Sequence, residues 1–206
     1  MNVLVINYGM GNLGSVRRAF EECGASVLVS DDPADLTAAE RIVLPGVGAF
    51  PDAMARLNAV GWPAKLRTAL ENPGVHLLGI CLGMQLLADK GHEGSETPGL
   101  GLIHGEVTRF APPNGERIPH VGWNEVRPMQ SSPLLADIAP DTDFYFVHSY
   151  HFRAAQLKNV LATTPYCGEF TSVVGAGNVL GTQFHPEKSS RPGFQLLRNF
   201  LSLSVS

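Results

Sequence analysis

Three side chains in this sequence have the types and spacing for nucleophilic chemistry at a carbonyl carbon: Cys81, His185 and Glu187. Cys81 lies in VHLLGICLGMQLLADK, where an apolar strand pattern stops at the cysteine and a helical pattern starts at Leu82. Gly79 and Gly83 bracket it as G-x-C-x-G, the thiol counterpart of a strand-to-helix nucleophile elbow, a tight turn that admits only small neighbours. The expected helix would aim its first free N–H groups, that of Leu82 above all, at the place where an oxyanion forms. In GTQFHPEKSS, His185 and Glu187 are two residues apart, so an extended chain would project both to one face, as a base and the group that orients it. Cys23, at a predicted helix end, and Cys167, in the turn PYCGE, lack such a setting and read as structural.

Further polar candidates surround this core. PGVGAF follows the apolar strand RIVL, and Gly46 and Gly48 free the backbone around Val47 to aim an N–H into a site as a second oxyanion donor. Gln85, four residues after Cys81, falls on the same side of the predicted helix. Ser149 and Tyr150, with His148, end an aromatic strand and offer hydroxyl and backbone groups to a polar substrate. His148 and His151 have an i, i+3 spacing that a metal could use, but no HExxH or CxxC accompanies them. Neither a metal nor a cofactor is expected. GMGNLG, residues 9–14, matches G-x-G-x-x-G after a predicted strand, with Asp31 and Asp32 downstream, so a dinucleotide-binding oxidoreductase remains an alternative.

These residues need a scaffold. MNVLVIN, SVLVS, RIVLPG and VHLLGI alternate with helical patterns through SVRRAFEEC, AMARLNAV and AKLRTALEN, which predicts right-handed crossovers and a mainly parallel sheet with its site at the C-terminal strand ends. After Gly94, LIHGEVTRF, HVGWNEVRP, DFYFVHSY, NVLATTPY, FTSVVGAG and NVLGTQF read as shorter antiparallel or mixed strands, and FQLLRNFLSL as a closing amphipathic helix. The fold class is therefore α/β, a single-domain mixed sheet flanked by helices and spanning 1–206. With 206 residues, 44% hydrophobic content and a formal charge of −4 without a basic run, the chain predicts one core and neither a nucleic-acid nor a membrane partner. Three cysteines without framework spacing and an N-terminus without a signal peptide predict a cytoplasmic protein.

GICLGMQLL, GTQFHPEKS and PGVGAF together resemble the triad-type, class I glutamine amidotransferases, a flavodoxin-like α/β family. NYGMGNLGSV, PHVGWN and FYFVHSY resemble one subgroup, the glutaminase subunits of imidazole glycerol phosphate synthases, over residues 1 to about 203. The resemblance implies hydrolysis of glutamine to glutamate and ammonia, with Cys81 as nucleophile, His185 as general base and acid, and Glu187 as orienter. It assigns the oxyanion hole to Leu82 and the Val47–Gly48 backbone, and glutamine contacts to Gly46, Gln85, Ser149 and Tyr150. It also implies a heterodimer with a cyclase subunit, a (βα)8 barrel that uses the ammonia in histidine biosynthesis, with Asn12, Trp123 and Lys188 at the interface. Two alternatives stay open beside the oxidoreductase: a stand-alone thiol hydrolase of glutamyl compounds, and a non-enzymatic regulatory relative.

Overall fold

The computed structural model describes residues 1–204; the last two residues of the expected domain lie outside them. The first half builds β1 (Asn2–Ile6), α1 (Leu13–Glu22), β2 (Ser26–Ser30), β3 (Arg41–Gly46), α2 (Phe50–Val60), α3 (Trp62–Leu70), β4 (His76–Cys81) and α4 (Leu82–Gln85). Two short strands follow, β5 (Lys90–Gly91) and β6 (Thr97–Pro98), then β7 (Gly105–Arg109) and β8 (His120–Pro128). The chain ends through β9 (Thr142–His148), β10 (Tyr150–Ala154), β11 (Val160–Pro165), β12 (Glu169–Ala176), β13 (Val179–Thr182) and α5 (Ser190–Leu201).

Strands β2, β1, β3, β4 and β13 pair in parallel in that order, and β12 adds antiparallel to β13. From β12 the sheet runs on through β10 and β7, while β11 joins β12 to the antiparallel hairpin β8–β9. This is the mixed, mainly parallel-cored α/β sheet that the alternating pattern predicts.

Both faces of the central parallel strands β1, β3, β4 and β13 are buried, because alternate side chains of one strand feed different cores. Val3 and Val5 of β1 pack with Val16, Phe20, Leu78 and Phe200 on one side. Leu4 and Ile6 pack with Leu44, Phe50, Leu57 and Trp62 on the other. Turn chemistry sets the connections: Gly61, with φ +88°, ends α2 and opens α3 in a left-handed conformation that costs glycine little. Every residue of β4 is buried, with β3 and β13 on either side. Its C-terminal end, and with it Cys81, is held in the middle of the sheet. Among the described residues no helix is long and apolar enough to cross a membrane.

Candidate active site

Cys81 is the last residue of β4 and precedes α4 with φ +55° and ψ −109°. A side chain in this region is strained by about 1–3 kcal/mol and persists only where the surroundings hold it. The two flanking glycines are what permit it. A Cβ on Gly79 would lie 2.6 Å from the Gly83 carbonyl oxygen, and one on Gly83 would lie 1.7 Å from the Leu44 carbonyl oxygen of β3. The chain after the elbow must therefore pass directly over its neighbouring strand, and glycine alone allows that approach.

The helix expected after Cys81 is a single turn. The carbonyls of Leu86, Leu87 and Ala88 accept N–H groups from Leu100, Leu102, Ile103 and Gly101 instead of from a next helical turn. The long apolar pattern encodes burial under that loop, and any electrostatic help at Cys81 comes from the first N–H groups, not from an extended helix dipole.

A cavity of ≈280 Å³ opens beside the elbow, lined by Cys81, Leu82, Gln85, Val47, Gly48, Ser149, Tyr150 and His185, and also by Glu93, Val147 and His148. Gly46 pairs with Cys81 across β3–β4 and stands just behind the lining. A Cβ there would meet the Tyr8 hydroxyl at 2.5 Å. Gly48 has φ +113°, and a Cβ on it would strike the Met10 side chain at 2.6 Å. A larger hollow of ≈730 Å³ lies at the opposite ends of β3 and β4, between Arg41, Lys65 and Leu203. It contains no thiol, and Arg41 within it is bound by backbone carbonyls of Glu40, Gly74 and Phe200. Cys81 and His185, the candidate nucleophile and base, line the smaller cavity.

His185 and Glu187 do not sit on a strand. His185 is extended, and a 3-10 turn (Pro186–Lys188) then folds Glu187 back beneath it, bringing Nδ1 within 2.8 Å of Glu187 Oε1. The His185 N–H donates to the Tyr145 carbonyl of β9 at 3.0 Å, which fixes the ring beside the hairpin. Both side chains are almost wholly buried. With Nδ1 committed to the carboxylate, Nε2 is left buried without a hydrogen-bond partner and is free for chemistry. Burial works against the charged ring, but the Cys81 sulfur and the Glu187 carboxylate together outweigh it and lift the His185 pKa to about 9. Although Nε2 makes no hydrogen bond of normal geometry to the sulfur, the sulfur is near enough to act on the ring's charge.

Sequence reasoning missed two polar residues of this region. Glu93 reaches the cavity from the loop after β5, where its Oε2 accepts the Phe50 N–H of α2 at 2.8 Å. Gln183 lies under the elbow, with Nε2 3.8 Å from Cys81 Sγ. Its place within GTQFHPE, next to the predicted histidine, is the available signal; nothing local marks Glu93.

The expected interface residues fall in two places. Trp123 is exposed and meets the Tyr145 ring edge-on at 6.1 Å, and Lys188 Nζ stands 5.9 Å from that ring's centroid, so these two form one patch. Asn12 sits on the loop after β1, where its side chain caps α1 by accepting the Ser15 N–H. In the GMGNLG loop, a Cβ on Gly9 would strike the Arg56 guanidinium at 2.6 Å and one on Gly11 would touch Pro45 at 3.6 Å. The glycines serve packing against the protein's own side chains, and Asp32 caps the following turn at Ala34. His148 and His151 point to different partners, and no cluster of three or more potential metal ligands occurs among the described residues.

An elbow cysteine at the centre of a parallel sheet, with a buried histidine–carboxylate pair beside it, defines a class of thiol amidohydrolases. The chain belongs to the class-I glutamine amidotransferase family, whose model matches residues 4–203. Within that family it falls among the subunits named HisH of imidazole glycerol phosphate synthase. It is 50% identical over 198 residues to that of Moorella thermoacetica, covering 96% of this chain and 93% of the relative. It is 47% identical over 205 residues to that of Geobacillus kaustophilus, covering 98% and 96%. Among solved structures, PurLQS from Thermotoga maritima shares the fold, with a TM-score of 0.73 at 21% identity and 97% coverage of both chains.

Proposed function

We propose that residues 1–206 act as one glutaminase domain, which hydrolyses glutamine at Cys81 and hands the ammonia to a cyclase subunit of imidazole glycerol phosphate synthase. The observation that carries the reading is the buried His185–Glu187 bond of 2.8 Å, which leaves His185 Nε2 unpaired beside the cavity that contains the thiol. With the proton shared by Cys81 and His185 held on Nε2, the sulfur attacks the side-chain amide carbon of glutamine. The oxyanion meets the N–H of Leu82 and a backbone N–H of the Val47–Gly48 segment. Nε2 returns its proton to the leaving nitrogen, ammonia departs, and a thioester remains. Water, deprotonated by the same nitrogen, then releases glutamate and restores the thiol. Glu187 holds the ring and stabilises its charged form throughout.

A cavity of ≈280 Å³ accommodates a free amino acid the size of glutamine. Glu93, the one carboxylate among its lining residues, suits the α-ammonium group, and Ser149, Tyr150 and Gln85 supply polar groups around the backbone end. Free ammonia at neutral pH is mostly ammonium and cannot attack an electrophile, so it must reach a second site by a sheltered route. That requirement supports direct assembly with the acceptor, which the names of the relatives make a cyclase; we assign to it a (βα)8 barrel in a cytoplasmic heterodimer, docked on the Trp123–Lys188 patch and near Asn12. The test is Cys81→Ser in the assembled complex: glutamine-dependent synthesis should vanish while ammonia-supported synthesis persists. Undiminished glutamine use would remove Cys81 from the mechanism.

A further inference from the structure

Outside the triad, the inner side of the β8–β9 hairpin holds two buried imidazoles whose protons can be placed by elimination. His148 Nδ1 lies 2.7 Å from the Tyr150 carbonyl oxygen, which can only accept, so this nitrogen carries hydrogen. His148 Nε2 lies 3.0 Å from His120 Nδ1, and His120 Nε2 lies 3.2 Å from Asn124 Nδ2. The Asn124 amide is oriented independently: Nδ2 also donates to the Pro165 carbonyl at 3.1 Å, and Oδ1 accepts the Glu125 N–H at 2.9 Å. With backbone groups anchoring both ends, two neutral rings admit one arrangement, in which Asn124 donates to His120, His120 to His148, and His148 to Tyr150.

The chain of bonds continues into the site. The Tyr150 carbonyl takes a second donor, Gln85 Nε2 at 2.9 Å, and that same amide donates to Gln183 Oε1 at 3.0 Å. Gln183 Nε2 is thereby turned toward Cys81 Sγ, 3.8 Å away. Each step is buried or partly buried, where an unmade hydrogen bond costs more than a made one contributes.

We propose that this directional network positions the glutaminase site: Asn124, His120 and His148 fix the Ser149–Tyr150 wall of the cavity, and Gln85 and Gln183 carry the same alignment to the thiol. The network also ties the site to β8, whose opposite face exposes Val121 and Trp123. Burial holds both imidazoles uncharged, with pKa values pushed down to about 4 for His120 and about 3 for His148, in keeping with the neutral arrangement. The proposal rests on the glutaminase reading, and its test separates the two.

Ring nitrogen-15 spectra of the histidine-labelled chain should show His120 and His148 neutral at pH 7 and protonated on Nδ1. Rings protonated on Nε2 would overturn the network without any variant. In the complex, His120→Phe keeps a ring against Tyr166 but removes the donor, and glutamine kcat/KM should fall roughly tenfold, mainly through KM. His120→Asn restores an N–H near the old Nδ1 and should recover most of that loss. Equal loss in both variants, or no loss in either, would overturn the positioning role. Absence of glutamine turnover by the native complex would refute the glutaminase reading itself while leaving the ring-nitrogen result intact.

Discussion

Replacing Glu187 by glutamine isolates what a buried charge does for His185. In the native protein, burial lowers the ring's pKa while Cys81 and Glu187 raise it, to about 9 from an ordinary 6.5. That net rise corresponds to about 3 kcal/mol in favour of the charged ring at 1.36 kcal/mol per unit. In Glu187→Gln the new amide oxygen could still accept the Nδ1–H, but the amide NH2 would then occupy the position of Glu187 Oε2, which is buried without a partner. The variant therefore loses the charge and leaves buried N–H groups unsatisfied. A hydrogen bond to a charged group contributes about 1.5–3 kcal/mol, so glutamine kcat/KM should drop about 10- to 100-fold. The pH profile decides the cause. The free protein needs the charged ring to enter the reaction, so the native alkaline limb of kcat/KM should fall near pH 9 and that of Glu187→Gln at lower pH. Stability follows the same sign, because the folded pKa is raised: the contribution is complete below about pH 6.5 and is lost as pH rises through about 9. The native Tm should fall over that window more than the variant's. An alkaline limb that stays in place or moves upward would refute the assignment of Glu187 as the group sustaining the charge.

Other changes follow from the same geometry. Gly83→Ala should destabilise the fold by about 2 kcal/mol or more and abolish glutaminase activity, since its Cβ would lie 1.7 Å from the Leu44 oxygen; a melting curve like the native one would contradict the elbow packing. Trp123→Ala and Lys188→Ala should weaken assembly and leave ammonia-supported synthesis intact, measured by calorimetric titration with the cyclase; normal binding by both would move the interface elsewhere. The isolated chain should hydrolyse glutamine slowly and be stimulated by its partner, with about 10²–10³ attainable from one oxyanion donor that turns inward at Val47–Gly48. Equal turnover with and without the partner and its nucleotide ligand would remove that switch.

What the sequence discloses is local. The elbow is legible because its steric demand falls on residues two positions from Cys81, and the strands of the first half are legible because alternate residues feed two opposite cores. The His185–Glu187 pairing can be read from their spacing, though the bringing together is done by a 3-10 turn and not by an extended strand. The helix after Cys81 is shorter than its composition predicts: LLADK suits a helix, but its carbonyls are claimed by residues 99–103, a tertiary decision. Glu93 and the His120–His148 bond are out of reach for the same reason. Their partners lie 43 and 28 residues away, and a single sequence carries no local mark of such meetings.

Strand β8 serves two masters by parity. His120, Asn124 and Val126 turn inward, whereas Val121 and Trp123 turn outward opposite Val147 and Tyr145. Removing or inserting one residue would exchange the sets, bringing Trp123 into the aromatic interior and turning His120 to water. Length in this segment is therefore frozen, while composition is not: the outward positions can be rewritten for a different docking surface without touching the inward ones. A designer seeking to retarget the glutaminase to another ammonia acceptor would find that freedom at positions 121 and 123, and would lose the site by changing the spacing between them.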